Sequence, residues 1–200
     1  MIKLPQSTRN PHFIGSWMLE PDSLFSAIIT FFEENTSLQR DGATGASVNH
    51  KAKKSTDITV NPEDTALNSH KELKQYIELL YECYSEYLAE WPFLKGLSDR
   101  LDIGPFNIQR YLPSDHFQMV HAERMSLATS HRVLAWMTYL NDVEEGGATL
   151  FTHYDLEIIP KRGKTLIWPA DWTHAHCGKV INKGSKYIIT GWLHLPPIEN

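Results

Sequence analysis

The sequence predicts a mostly β protein of the α+β class, an antiparallel sandwich or jelly roll supported by two N-terminal helices. After Leu101, short apolar runs alternate with turn residues and show no helical pattern between them. Before Leu101, two stretches repeat apolar residues at helical spacing. With 42% hydrophobic residues, 200 residues can form one core. We therefore expect a single domain over 1–200, with helical support and a loop in 1–100 and the jelly-roll core in 101–200.

The first elements are a short strand within His12–Leu19 and a helix that opens at Pro21 and Asp22. The apolar residues that mark this helix are Leu24, Phe25, Ile28, Ile29 and Phe32. The next stretch, Ser37–Ala66, is polar and lacks periodicity apart from Lys54–Thr59. It is predicted to be a long loop with one short strand.

The second helix is predicted to begin at a Ser-x-x-Glu capping box formed by Ser69 and Glu72. One apolar face follows at helical spacing. Its members are Leu73, Tyr76, Ile77, Leu80, Tyr84, Leu88 and Trp91. These aromatic residues are expected to pack in the core.

Eight short strands are predicted after Leu101, separated by turn sequences such as Glu144–Gly147 and Asn182–Ser185. They are Phe106–Tyr111, Phe117–His121, Val133–Leu140, Thr149–Phe151, Leu156–Ile158, Lys164–Trp168, Lys179–Ile181 and Tyr187–Leu193. So many short strands favour antiparallel pairing over a parallel sheet with crossover helices.

The composition argues against several classes of protein. The formal charge is −5, with no dense basic block, so neither a nucleic acid nor a membrane surface is expected as partner. Cys83 and Cys177 lie far apart, which argues against a disulfide scaffold or a zinc ribbon. The N-terminal residues lack an apolar signal region, and no apolar run reaches eighteen residues. We expect a cytoplasmic protein; its oligomeric state is left open.

His121 and Glu123 form the first candidate site. Two residues apart on an extended chain, their side chains share a face and lie roughly 6.6 Å apart along it. A second source of histidine is the segment that contains His174 and His176. Two histidines and one carboxylate form the facial triad of non-haem Fe(II) oxygenases, which leaves three coordination positions open.

Further motifs complete this pattern. They are Tyr111-x-Pro113 before His121-Ala-Glu123, then Tyr139–Phe151, Pro160-x-x-Gly163, Trp168-Pro169, His176 ten residues before Lys186, and Thr190-Gly-Trp192. Over roughly Asn107 to Trp192, the chain resembles a 2-oxoglutarate- and Fe(II)-dependent oxygenase of the prolyl 4-hydroxylase type. The resemblance implies a double-stranded β-helix, cupin-like, with 101–200 as catalytic core.

By this resemblance, His121, Glu123 and His176 would hold Fe(II), and Lys186 would pair with the distal carboxylate of 2-oxoglutarate. A cation that faces into a barrel is costly unless it meets an anion, which independently supports the role of Lys186.

Three more residues match positions of the cosubstrate pocket. Tyr139 and Thr190 match positions that hydrogen-bond the same carboxylate, and Tyr111 matches a position that lines the pocket. For each of the three, plain structural packing is left as an alternative.

The carboxylate departs from the pattern, because the commonest family form has aspartate where this chain has Glu123. Its presence argues against the halogenating variants of the fold, which lack the carboxylate. His174 competes with His176 for the second histidine position, and the spacing to Lys186 favours His176. His116, His131 and His153 are expected at the surface or at strand ends.

The resemblance implies hydroxylation of a substrate C–H bond with O2, coupled to decarboxylation of 2-oxoglutarate to succinate and CO2. Prolyl residues in a peptide or protein are the expected substrate, and a free amino acid or another small molecule is the alternative. The need for ascorbate is left open. A non-catalytic metal-binding module and a zinc-dependent hydrolase are rival interpretations, but neither requires Lys186. The loop Ser37–Ala66 is expected to form part of a lid or substrate groove.

Overall fold

The structure, a computed structural model, describes residues 2–3, 12–45, 47–62, 70–98 and 100–197. The helices are α1 Asp22–Glu34 and α2 Lys71–Glu90. The strands are β1 Ile2–Lys3, β2 Gly15–Met18, β3 Arg40–Asp41, β4 Thr56–Val60, β5 Asp102–Ile103, β6 Phe106–Tyr111, β7 Phe117–His121, β8 Arg132–Tyr139, β9 Glu145–Gly146, β10 Thr149–Phe151, β11 Leu156–Ile158, β12 Lys164–Pro169, β13 His176–Gly178, β14 Ile181–Lys183 and β15 Lys186–His194. Short 3₁₀ turns occupy Thr36–Leu38, Pro92–Gly96, Leu127–Thr129 and Trp172–His174.

Within the described residues, the strands form two main antiparallel sheets. The larger runs β1-β2-β12-β8-β15-β6-β4-β3, with β5 paired to β15. The smaller runs β11-β10-β13-β7, and β14 pairs with β9. The predicted mostly β architecture with two helices is therefore confirmed.

The two helices cover one face of the larger sheet. Trp136 of β8 lies in this core and contacts Tyr76 of α2. The Tyr76 hydroxyl lies 2.8 Å from Thr138 Oγ1, so a buried polar pair accompanies the apolar contact. Because side chains of a strand alternate between faces, β8 can contribute to a core on each side of its sheet.

The second core lies between the sheets. Met137 and Tyr139 of β8 join Tyr111 and Trp168 from neighbouring strands and Phe151 from the smaller sheet. Both faces of the central strands are therefore buried, and one end of this second core opens into the candidate site.

Two of the predicted features concern the chain after β13 and the start of α2. The strand at Lys179–Ile181 is wrong, because the chain leaves the smaller sheet after β13 and begins β14 at Ile181. Lys179 N donates instead to Ala148 O across the turn. The capping residue Ser69 lies outside the described residues, and α2 begins beside His70, which provides no side-chain cap.

The loop 37–66 is more ordered than predicted where it is described. Arg40–Asp41 pairs with β4, and β4 pairs with β6 at the edge of the larger sheet. The loop therefore joins the barrel wall. No helix in the described part of the chain is long and apolar enough to cross a membrane.

Candidate metal centre

The pairing of β7 with β13 places two histidines side by side. His121 is the direct cross-strand partner of His176, and their ring centroids lie 4.5 Å apart. Glu123 follows β7, where its backbone N–H donates to Ala170 O at 3.1 Å. One ligand atom from each of the three residues lies within 4.8 Å of the others. The smaller sheet and the turn after β12 thus assemble the cluster.

Backbone carbonyls orient both imidazole rings. His121 Nδ1 lies 2.9 Å from Met119 O, and His176 Nδ1 lies 2.9 Å from His174 O. A carbonyl only accepts hydrogen bonds, so each Nδ1 carries a proton, and Nε2 is the nitrogen left to bind a metal. The Nε2 atoms are the ones that face Glu123. This tautomer is the one that metal-ligating histidines adopt.

Aromatic packing limits how far the imidazoles can turn. The Phe117 ring stacks on His121 with centroids 3.9 Å apart and an interplanar angle of 13°. The rings of Phe151 and Trp168 each contact His176, with centroids 5.3 Å from the imidazole. Ring packing therefore fixes the direction in which the two Nε2 atoms point.

The two carboxylate oxygens of Glu123 have different surroundings. Oε1 lies 3.4 Å from His176 Nε2 and 3.7 Å from His121 Nε2. Oε2 accepts a 2.7 Å hydrogen bond from Trp192 Nε1. Burial raises the pKa of Glu123, but hydrogen bonds and charge from both histidines outweigh it and leave the pKa well below its usual range. The carboxylate is therefore ionised at neutral pH.

The donor set fits Fe(II) or a similar divalent ion. Metal bonds of about 2.0–2.2 Å place adjacent ligand atoms of an octahedron roughly 3 Å apart. The separations of 3.4 and 3.7 Å lie close to that value, so small side-chain movements suffice. Two imidazoles and a carboxylate occupy one face and leave the opposite face for other ligands.

Lys186 is a buried cation in the same cavity. It is only 4% exposed, its Nζ donates to Gly147 O at 3.0 Å, and this atom lies 4.6 Å from the centre of the Tyr111 ring. No carboxylate among the described residues forms an ion pair with it. Burial lowers the pKa of Lys186 to about 8. An anionic ligand would supply the missing counter-charge.

Tyr111 belongs to a buried polar network on the same wall. Its hydroxyl donates to Gln109 Oε1 at 2.7 Å, and Gln109 Nε2 donates to Asp57 Oδ2 at 3.2 Å. Asp57 also pairs with Lys53 at 2.5 Å and accepts from Ser55 at 2.7 Å. The Lys53–Asp57 pair is buried and lines the cavity. Sequence reasoning missed it because the segment is predicted only as a long loop with one short strand, and no role is given to its charged residues.

Tyr139 and Thr190 both point their hydroxyls at protein groups. Tyr139 is fully buried, and its hydroxyl donates to Thr149 Oγ1 at 2.7 Å, so Thr149 stands between it and the cavity. Thr190 lines the cavity, and its hydroxyl donates to Trp136 O at 2.8 Å. Tyr111, Lys186 and Thr190 thus line the cavity directly, whereas Tyr139 does not.

His174 is close to the cluster but does not join it. It lies in the 3₁₀ turn before β13, with Nε2 2.8 Å from His12 O and Nδ1 3.0 Å from Thr173 Oγ1. Its own carbonyl orients His176. Burial lowers the pKa of His174, although its contact with the His12 carbonyl opposes this.

A cavity of about 710 Å³ links these groups. Its lining includes the cluster, Lys186, Tyr111, the Lys53–Asp57 pair, Arg132 and Trp192, together with Arg40, Asp41, Ala43, Thr44 and Gly45 of the loop. The volume lies in the range of small-molecule sites. The cluster and the buried cation therefore face one shared space.

Comparison with known proteins agrees with this arrangement. Residues 106–194, just under half of the chain, match the family model described as the 2OG-Fe(II) oxygenase superfamily. The chain is 31% identical over 75 residues to "Prolyl 4-hydroxylase subunit alpha-1" of Homo sapiens, covering 34% of this chain and 14% of that protein. It is 28% identical over 114 residues to "Probable prolyl 4-hydroxylase 9" of Arabidopsis thaliana, covering 44% and 40%. The chain thus spans about a seventh of the first of these relatives.

Solved structures share the fold over most of the chain. A viral collagen prolyl hydroxylase from Paramecium Bursaria Chlorella virus-1, in complex with 2-oxoglutarate, superposes with a TM-score of 0.67 at 18% identity, covering 92% of this chain and 97% of that one. A Pseudomonas putida prolyl-4-hydroxylase gives 0.72 at 14% identity, covering 92% and 93%. The predicted double-stranded β-helix is therefore confirmed.

A third solved structure is a Trichoplax adhaerens prolyl hydroxylase in complex with a hypoxia inducible factor peptide fragment, with a TM-score of 0.70 at 14% identity, covering 92% and 84%. In its family match over residues 106–194, its relatives and its fold, the chain is thus similar to 2-oxoglutarate/Fe(II) oxygenases of the prolyl 4-hydroxylase type.

Proposed function

We propose that the protein is an Fe(II)- and 2-oxoglutarate-dependent dioxygenase that hydroxylates a C–H bond and releases succinate and CO2. The observation that carries this proposal is the shared cavity of a two-histidine, one-carboxylate cluster and a buried lysine without a carboxylate partner among the described residues. Fe(II) with 2-oxoglutarate would supply the oxidising chemistry.

His121, Glu123 and His176 would hold the metal from one face. Backbone carbonyls engage Nδ1 of both histidines, so each Nε2 would be the ligand atom, and Glu123 would supply its ionised carboxylate. The rings are already fixed by Phe117 and by carbonyl acceptors. The cluster is therefore preorganised.

Lys186 would bind the distal carboxylate of 2-oxoglutarate. A bound carboxylate restores charge balance around the buried ammonium, and so raises its lowered pKa. Tyr111, against which Lys186 lies, would form one wall of the cosubstrate pocket, and Thr190 lines the same cavity. Tyr139 would act indirectly, by holding the Thr149 hydroxyl.

Prolyl residues in a peptide or protein are the proposed substrate class. Support comes from the prolyl 4-hydroxylase relatives and from the neighbour that holds a peptide fragment. The cavity also extends beside the cluster, where Arg40, Asp41 and loop residues 43–45 form a wall. We propose that this loop is part of the substrate groove. Unchanged substrate hydroxylation and unchanged uncoupled 2-oxoglutarate decay after its deletion would contradict this role.

The decisive experiment is an anaerobic titration of metal-free protein with Fe(II) and then 2-oxoglutarate. The expected result is a weak visible charge-transfer band from the chelate in the wild type, weaker in His176→Ala and in Lys186→Ala. No band in the wild type, with tight zinc binding instead, would overturn the proposal in favour of a hydrolase or a binding module.

A further inference from the structure

Glu123 is longer by one methylene than the aspartate that the family commonly has, and its extra torsion needs a restraint. The structure shows one. Trp192 Nε1 donates to Oε2 at 2.7 Å, while Oε1 faces the Nε2 atoms of His176 and His121 at 3.4 and 3.7 Å. The indole thus engages the oxygen that lies away from the histidines.

Trp192 is itself held in place. The Arg132 guanidinium lies over the indole, 3.5 Å from its ring centroid. Arg132 Nη1 also donates to the backbone oxygen of Glu123 at 3.1 Å and lies 3.8 Å from Oε2. Because Arg132 begins β8 and Trp192 lies in the adjacent strand β15, the larger sheet fixes both residues relative to Glu123.

We propose that Trp192 is a positioning residue that fixes Glu123 as a one-oxygen metal ligand. This inference rests on the proposed function, because it concerns the same metal centre. With Oε2 committed to the indole N–H, a metal meets Oε1 alone. That keeps the carboxylate to one coordination position and leaves the opposite face open for cosubstrate and O2. Arg132 acts through Trp192 by clamping the indole plane.

Hydrogen bonds to a metal-ligating group commonly contribute 10- to 100-fold to metal affinity. Trp192→Phe removes the N–H and keeps an aromatic ring under Arg132. We expect this variant to bind Mn(II) at least about 10-fold more weakly than the wild type does. The metal-free variant should keep the wild-type circular dichroism spectrum.

A double-mutant cycle with Glu123→Asp separates positioning from general damage. Aspartate is shorter by one methylene, so we expect it to lose the 2.7 Å contact with the indole when its other oxygen stays beside the two Nε2 atoms. In the Glu123→Asp background, Trp192→Phe should therefore change Mn(II) affinity by less than about threefold, because little coupling remains. Trp136→Phe is the matched indole control, since Trp136 Nε1 has no hydrogen-bond partner among the described residues and lies in the other core. It should leave Mn(II) affinity unchanged.

The measurements are calorimetry of Mn(II) binding to the metal-free proteins and the visible absorption spectrum of the Co(II) forms. A second Trp192 variant carries benzothienylalanine, which keeps the indole shape but replaces the N–H by sulfur, and it should weaken binding as Phe does. In both Trp192 variants, the Co(II) spectrum should change as Oε2 becomes free to coordinate.

Two results would overturn the inference. One is wild-type Mn(II) affinity in the benzothienylalanine variant. The other is an equal loss of affinity on Trp192→Phe with and without the Glu123→Asp substitution, which would indicate a purely structural role. Failure of the wild type to bind Mn(II), or binding that survives His176→Ala, would instead overturn the proposed function together with this inference.

Discussion

Replacing Lys186 by methionine should stabilise the metal-free protein while abolishing 2-oxoglutarate binding. The ammonium is buried and has no carboxylate partner among the described residues, and burial lowers its pKa from 10.5 to about 8. A difference of about 2.5 pH units corresponds to roughly 3 kcal/mol of unfavourable free energy for the charged form. Methionine removes this penalty but leaves the Gly147 carbonyl without its donor, which costs about 1–2 kcal/mol. The expected net gain at pH 7 is about 1–2 kcal/mol.

The stability gained by Lys186→Met should depend on pH. Below pH 8 the lysine is charged in both states, so the folded wild type bears the full penalty. Between pH 8 and 10.5 the unfolded chain binds more protons than the folded one, so wild-type stability rises with pH. The advantage of Lys186→Met should therefore shrink over this interval. Urea unfolding of the metal-free wild type and variant at about pH 7 and about pH 10 measures this change in relative stability.

Lys164→Met is a suitable control, because Lys164 Nζ also donates to a backbone carbonyl, Ile159 O, but the residue is only partly buried, whereas Lys186 is buried. It should change the free energy of unfolding by no more than about 0.5 kcal/mol. Calorimetry with 2-oxoglutarate should detect binding to Lys164→Met and none to Lys186→Met. A Lys186→Met protein that is less stable than the wild type at neutral pH, by an amount that does not depend on pH, would refute the reasoning.

Three further predictions concern the cluster and the core. Mn(II) should raise the Tm of His174→Asn in a thermal melt but should not raise the Tm of His176→Asn, because His176 lies in the cluster and His174 does not. If Mn(II) raised the Tm of neither variant, this prediction would be contradicted. Tyr76→Phe should lower the free energy of unfolding by about 1 kcal/mol, because it removes the buried hydrogen bond between the Tyr76 hydroxyl and Thr138 Oγ1. An unchanged free energy in urea unfolding would show that this hydrogen bond does not stabilise the fold. Gly191→Ala should lower the free energy of unfolding by about 1–3 kcal/mol in the same assay, because the added Cβ would lie 2.6 Å from an indole carbon of Trp136. Wild-type stability in this variant would show that the core can rearrange around the added methyl group at little cost.

Much of the fold and part of the candidate site could be read from the sequence. Apolar runs bounded by turns locate β6, β7, β10 and β11 at their observed bounds, because these signals are local. The spacing of His121 and Glu123 likewise indicates a shared cluster, since alternation along a strand is a local rule. The predicted strand at Lys179–Ile181 is wrong, because the chain passes from β13 to β14 within these residues, and local hydrophobicity does not reveal that change of sheet.

Other features depend on contacts between residues far apart in sequence. His174 and His176 have the same strand parity, so alternation cannot choose between them; a 3₁₀ turn at His174 and the register of β13 against β7 decide which one lies opposite His121. The hydrogen bond from Trp192 to Glu123 joins residues 69 positions apart. The sequence by itself determined the residue types that can bind a metal and an anion, because these follow from side-chain chemistry and local periodicity. Only the tertiary structure decided which of them meet, because strand register between distant segments sets those distances.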